Sequence, residues 1–425
     1  MVSEYPIALA VRRFRPFTIL ALCSVGLASC SGAGASLPYL STTTLNAKSS
    51  LGNGSQKYRV LFSFGSDVHG LDGAVPVAPL LNVNGTLYGT TQYGGTYHGG
   101  GTVFRISMTG ADERVLYSFR GNGPYVGGPV AGLTNLNGTL YGTTAGDGLY
   151  NGGTVFRIST TGTNYRVLHN FGKGFDGAQP RAALIAVDGR LYGTTYKGGA
   201  GCGSGGCGTV FRISTSGKER VIYSFRGPPD GEYPLAGLIN VNGTLYGTTQ
   251  VGGSGRGTVF TVSAGGAEHV LHSFSGPDGE APAAGLISAS GTLYGTTAGG
   301  GRFGEGTVFT MTGAIENVLH SFGGSGSDGI VPVANLSYVK GVFYGTTSKG
   351  GVAGYGTVFR VTVAGKERVL HSFGAGYEND GLNPEAGLID VRGTLYGTTQ
   401  IGGISLPSCY ETGTCDYGTV FALTP

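Results

Sequence analysis

The sequence predicts an all-β fold: a seven-bladed β-propeller of four-stranded blades, closed by an outer strand from the N-terminal side. Three observations carry this expectation. Glycine supplies 84 of 425 residues, and each interior helical glycine costs roughly 1 kcal/mol relative to alanine, which disfavours long helices. The tetrapeptide Tyr-Gly-Thr-Thr begins at Tyr88, Tyr141, Tyr192, Tyr246, Tyr294, Tyr344 and Tyr396, at intervals of 48 to 54 residues. The repeat phase is offset, so that the first unit opens on a lone strand and the last ends one strand short.

The 40% apolar and 12% charged composition excludes a solvated coil. Glycine does not recur at every third position, which excludes a collagen helix. The formal charge is +3 with no basic run, so no nucleic-acid partner is expected.

Residues 1–29 read as a lipoprotein-type signal peptide. Arg12, Arg13 and Arg15 precede an apolar stretch from about Thr18 to Ala28, too short to span a bilayer. The stretch ends in Leu27-Ala28-Ser29-Cys30, which resembles the bacterial lipobox. That resemblance implies lipidation of Cys30, with Ser31 after it fitting the outer membrane. An ordinary signal with a coincidental cysteine, giving a secreted protein, is the alternative. Residues 30–56, rich in Ser, Gly, Thr and Ala, read as a flexible tether. Residues 57–425 form the propeller, expected to be an exported, monomeric cell-envelope protein.

Within a unit the strands follow in order. Strand A is exemplified by 236–241 and strand B by 244–249, joined at Asn242-Gly243, a type I′ hairpin signal. Strand C is 257–263 and strand D is 268–274. All seven A–B turns have Gly second. Gly-Thr-Val-Phe marks each strand C, and a Val-Leu-(Tyr/His)-Ser-Phe motif ends each strand D, at Phe64, Phe119, Phe171, Phe225, Phe274, Phe322 and Phe373. Six D strands follow C strands directly. The seventh must be residues 58–64, pairing with 418–423 and protecting the sheet edges. A straight solenoid would need caps that the sequence lacks.

The pattern GTLYGTT…GG…GTVFR…G…VLYSF resembles the GloVer repeat of bacterial exported proteins, a choice-of-anchor tandem repeat group, and more distantly the kelch repeat. The resemblance covers residues 57–425 and implies a surface-anchored propeller without implying an activity.

Candidate chemistry is sparse. Asp-Gly-x-x-Pro recurs at Asp72, Asp176, Asp230, Asp278, Asp328 and Asp380. These read as turn residues, since one carboxylate per blade makes a poor calcium site. Double glycines such as Gly94-Gly95 lack the helix and Lys-Ser/Thr of a phosphate loop. No catalytic residue, cofactor or metal is expected. Cys202 with Cys207, and Cys409 with Cys415, read as two local disulfides, because a zinc site would need two further ligands from each neighbourhood. His169, His272, His320 and His371 share a repeat position with Tyr and Phe and read as packing residues.

The B–C and D–A loops share one face, and that face carries Tyr93, Tyr97, His98, Tyr150, Tyr196, Tyr233, Tyr355 and Tyr410. Variable loops on a rigid ring are where binding resides. The functional expectation is a protein- or glycan-binding module, tied to the membrane only through its lipid. The alternatives are a polysaccharide hydrolase or lyase with carboxylates at the channel mouth, or a purely structural envelope protein.

Overall fold

The computed structural model describes residues 57–65, 70–97, 99–121, 127–376, 379–404 and 417–425, all within the unit Lys48–Pro425. The signal and tether calls (1–29 and 30–56), Cys30, His98, Cys409, Tyr410 and Cys415 lie outside the described residues.

Seven four-stranded antiparallel sheets form the blades. Blade I comprises Leu81–Val83, Thr86–Thr91, Thr102–Ser107 and Arg114–Ser118 as strands A to D. Five blades repeat this plan in sequence order. Blade VII takes Ile389–Val391, Thr394–Thr399 and Thr419–Thr424 as A, B and C, and its strand D is Lys57–Ser63. Lys57 pairs with Thr424 and Ser63 with Thr419, so the two chain ends meet in one sheet. The ring is also closed at its centre, where successive A strands touch and the last touches the first.

Strand A is shorter than expected. In blade IV it spans Ile239–Val241 rather than 236–241. The preceding small residues run at the axis instead, where chains crowd: a Cβ on Gly237 would lie 3.1 Å from the Ala183 carbonyl oxygen. All seven A–B turns have both central residues at positive φ, even Ser290, Lys340 and Arg392 in place of Asn or Asp.

The repeat motifs have distinct physical tasks. The motif tyrosine packs between blades, as Tyr192 does against Phe260 and Leu245. The glycine pairs across the B–C ladder with the Gly-Thr-Val-Phe phenylalanine, Gly345 with Phe359. A Cβ there would lie 2.6 Å from the Phe359 ring, so only glycine lets the ring lie down on the strand. The first threonine donates to a carbonyl of the next blade, as Thr90 Oγ1 does to Ala131 at 3.0 Å and Thr398 Oγ1 to Ala78 at 3.3 Å. The second threonine meets the strand C threonine inside its own blade, as in Thr91 with Thr102 at 2.9 Å.

Seven hydrophobic clusters fill the seven seams between neighbouring blades. At each seam the phenylalanine ending strand D stands edge-on to the strand C phenylalanine of the next blade. Centroids are 5.1 Å apart for Phe64 and Phe104, and 5.3 Å for Phe373 and Phe421. Such geometry contributes about 0.5–1.5 kcal/mol beyond the area buried.

The D–A corners are held by the repeated aspartates. Asp72, Asp176, Asp230, Asp278, Asp328 and Asp380 each accept the N–H of the residue following the strand D phenylalanine, at 2.8 to 3.1 Å. At several corners the carboxylate also meets the strand D side chain two residues before that phenylalanine: His169 at 3.0 Å, Tyr223 at 2.7 Å and His272 at 2.9 Å. His169, His272 and His371 therefore bond as well as pack. A glutamate opening strand D of the next blade completes several corners. Burial, and then the charge of Asp176, push Glu219 up to about 7. Glu268 is likewise pushed to about 7 by burial and Asp230.

Two outcomes follow from this architecture. Removing residues 57–64 strips the outer strand from blade VII and empties the Phe64 pocket, whose loss alone costs about 3–5 kcal/mol. Denaturant unfolding should register at least that deficit, and an unchanged transition would reject the closure. The second outcome concerns Glu219. Its folded-state pKa lies above the unfolded value of 4.5, so the unfolded chain loses the proton first and stability falls as pH rises from about 4.5 to 7. Glu219→Gln should leave stability at pH 4 unchanged and raise it at pH 8 by roughly 1 kcal/mol, a figure discounted for partial exposure. Melting curves at the two pH values measure this.

Candidate functional site

A cavity of about 890 Å³ opens at the ring axis, on the face of the B–C and D–A loops. Its wall is a single repeat position, the residue after the proline that leads into strand A. Val77, Val130, Arg181, Leu235, Ala283, Val333 and Glu385 occupy that position in the seven blades and all line the cavity. Five of the seven are apolar. Arg181 in blade III and Glu385 in blade VII break the sevenfold symmetry and make the mouth polar on two sides. Gln92, Tyr93, Asp147, Asn151, Gln179 and Gln400 add polar groups around the rim. Burial raises the Glu385 carboxyl above the usual carboxylate range.

The backbone beneath this mouth is strained. The residue before the proline has positive φ in six blades: Val75, Gln179, Tyr233, Ala281, Val331 and Asn383, at 52° to 60°. For the β-branched Val75 and Val331 this is an unusual conformation. Two backbone hydrogen bonds hold each of these residues. The Tyr233 N–H donates to the Cys207 carbonyl of the preceding blade at 2.9 Å, and the Tyr233 carbonyl accepts from Gln250 N–H at 3.1 Å. The same pair of bonds recurs at the other five. Strain of this kind persists where surrounding structure over-determines it. The residue two positions on, just after the proline, lines the cavity in every blade.

The aromatic candidates divide into two groups. Tyr93 lines the cavity from blade I. Tyr196 and Tyr233 lie side by side, with ring centroids 5.0 Å apart. The Arg181 guanidinium sits over Tyr196, 4.6 Å from the ring centre, and Lys197 approaches the same ring at 5.9 Å. Tyr97, Tyr150 and Tyr355 are exposed but do not line the cavity. Tyr97 stacks with Arg120 at 5.0 Å, and Tyr150 and Tyr355 lie against Gly172 and Gly374 of their own D–A corners.

Cys202 and Cys207 are disulfide-bonded in the B–C loop of blade III. Cys207 is buried, and its carbonyl is the acceptor for Tyr233. The disulfide thus braces the loop that carries the tyrosine pair. Arg181 and Glu385 escape notice in the sequence because they occur once each. The Pro-x-Ala register, in which they replace small or aliphatic residues, is the signal that would have found them.

No curated protein sequence matches this chain. Among solved structures, an oligogalacturonate lyase in complex with manganese aligns with TM-score 0.50 at 10% identity, over 88% of this chain and 98% of the lyase. An oligogalacturonate lyase from Vibrio parahaemolyticus aligns with TM-score 0.50 at 9% identity, over 88% of this chain and 94% of that one. A chain of a nidogen/laminin complex aligns with TM-score 0.40 at 14% identity, over 64% of this chain and 90% of that one. At these identities the likeness is one of fold. The model of the Gloeobacter/Verrucomicrobia repeat matches three overlapping stretches, residues 50–206, 99–304 and 200–408. With the repeat matched across most of its length, the chain belongs to the Gloeobacter/Verrucomicrobia repeat family.

Proposed function

We propose that this propeller is a lipid-anchored binding module of the cell envelope that takes an acidic glycan at its axial mouth. The observation that carries this reading is Arg181 lying over Tyr196, with Tyr233 alongside, at the rim of the axial cavity. Aromatic rings offer flat apolar faces with polar edges, suited to sugar rings. A guanidinium offers a fork of donors matched to a carboxylate. The two together select a saccharide bearing an acid group. The disulfide-braced loop and the pinned backbone hold these groups in place before a ligand arrives, which lowers the ordering cost of binding.

A hydrolase or lyase reading draws on Glu385 and Asp147, two carboxylates in the same cavity. The burial-raised Glu385 has the character of a general acid. Both readings are separated by one set of measurements. The purified protein is titrated with neutral and uronate-containing oligosaccharides while product formation is followed. The binding reading expects saturable affinity for the acidic set, reduced at least tenfold by Arg181→Ala and by Tyr196→Ala, with no cleavage. Equal affinity in the variants, or binding of proteins alone, would reject it. Cleavage lost on Glu385→Gln would install the enzymatic reading instead.

The anchor is tested separately. The lipobox-like Leu27-Ala28-Ser29-Cys30 supports a lipid on Cys30 as the anchor. Two or three acyl chains hold stably, at about 0.8 kcal/mol per buried CH₂. Cys30→Ala should shift the protein from the membrane fraction to the soluble one, and continued retention would remove the lipid claim.

A further inference from the structure

The corner between blades V and VI differs from its sisters. His320 lies on strand D of blade V (Ile315–Ser321), Asp328 on the connection that follows, and Glu367 opens strand D of blade VI (Glu367–Ser372). We propose that His320, Asp328 and Glu367 form a divalent-cation site of the zinc class that clamps blade V to blade VI.

The first support is convergence. One ligand atom from each residue lies within 4.8 Å of the other two, as also at His272, Asp278 and Glu316, where His272 Nε2 is already bonded to Asp278 at 2.9 Å. The second is that His320 Nε2 and Asp328 Oδ1 are buried and lack a hydrogen-bond partner, alone among the described corner histidines and aspartates; Glu367 Oε1 is unpaired too, as it is in Glu219, Glu268 and Glu316. The Asp328 side chain is only 8% exposed. A buried polar atom left unpaired costs about 1–3 kcal/mol, so His320 Nε2 and Asp328 Oδ1, side by side in one corner, call for a common partner.

The sister corners supply the contrast. His169 and His272 bond their aspartates at 3.0 and 2.9 Å. His320 Nε2 stands 3.9 Å from Asp328 Oδ2, beyond a hydrogen bond. Asp328 Oδ2 accepts the Gly323 and Gly324 N–H groups at 2.9 and 3.1 Å, which leaves Oδ1 beside the unbonded imidazole as the oxygen open to a ligand.

Charge points the same way. Two carboxylates and a neutral imidazole sum to two negative charges, which a divalent ion neutralises. The mixed nitrogen and oxygen donor set suits zinc and its neighbours, whereas calcium and magnesium take oxygen ligands. Three protein ligands leave a fourth position for water. The corner aspartates look like poor cation ligands in the sequence because each blade supplies one. The missing carboxylate comes from the next blade.

The test uses the full-length protein, stripped with a chelator and with free thiols alkylated so that cysteines do not compete. Zn²⁺ is titrated by calorimetry and thermal melting, with the visible spectrum of Co²⁺ as a second probe. The expected result is a single saturable Zn²⁺ event and a raised Tm that EDTA reverses. His320→Gln and Glu367→Gln should each weaken binding at least tenfold, whereas His272→Gln at the closed sister corner should leave it unchanged. Circular dichroism verifies that each variant is folded, and Glu367→Gln decides alone if His320→Gln is not. Absence of saturable binding, undiminished affinity in the folded variants, or equal loss in His272→Gln would overturn the site.

Discussion

The whole ring depends on one contact made seven times. A phenylalanine at the end of strand D stands edge-on to the strand C phenylalanine of the next blade, and that second ring lies over a glycine of its own strand B. The glycine sets how low the ring lies, the ring sets how close the neighbouring blade comes, and the spacing carries around the circle. A larger residue at any of these glycines would lift a ring and wedge a seam open, because packed interiors do not absorb an added methyl freely. The threonine bonds from Thr90 to Ala131 and from Thr398 to Ala78 then lock the angle between blades. Composition is explained by this geometry. A chain built from one seam repeated seven times needs the seam's glycine, threonine and phenylalanine seven times over.

The architecture was legible in the sequence because it is written in periodic residues. Blade number, strand order, hairpin turns and the closing strand all follow from motifs that recur with fixed phase. Two kinds of information were not legible. The first is pairing across a seam: nothing local to Asp176 says that His169 bonds it and Glu219 from the following blade lies near it. Those partners belong to different repeats, and only the curvature of the ring brings them together. The second is the exception within a repeat. Arg181 and Glu385 are single departures at a position otherwise small or aliphatic, and their placement on the axis becomes visible only when seven copies are superposed on a circle. Tyrosines chosen by loop position alone fared unevenly: Tyr93 lines the cavity, Tyr196 lies under Arg181 of the lining with Tyr233 beside it, and Tyr97, Tyr150 and Tyr355 lie elsewhere on the loops.

Rigid geometry and chemical individuality are thus divided between two sets of positions. Motif residues are buried, paired and nearly invariant from blade to blade. The residues after each proline and those in the B–C loops are free to differ, and they do. In six blades the left-handed residue before the proline connects the sets, because its two backbone bonds belong to the scaffold while the side chain just after the proline belongs to the mouth. A propeller of this kind acquires a binding site by altering a few axial positions without disturbing any seam.

The blade assembled from both ends also imposes an order on biogenesis. Residues 57–63 are among the first of the ring to be synthesised, yet their partner strand is Thr419–Thr424, among the last. Throughout translation the early segment has no sheet to join, and the six intact blades can stack without it. Joining the ends brings together positions more than three hundred residues apart, the kind of distant pairing that makes folding slow. Ring closure therefore waits until Thr419–Thr424 has been made, and until then the early strand has an unpaired edge open to other chains.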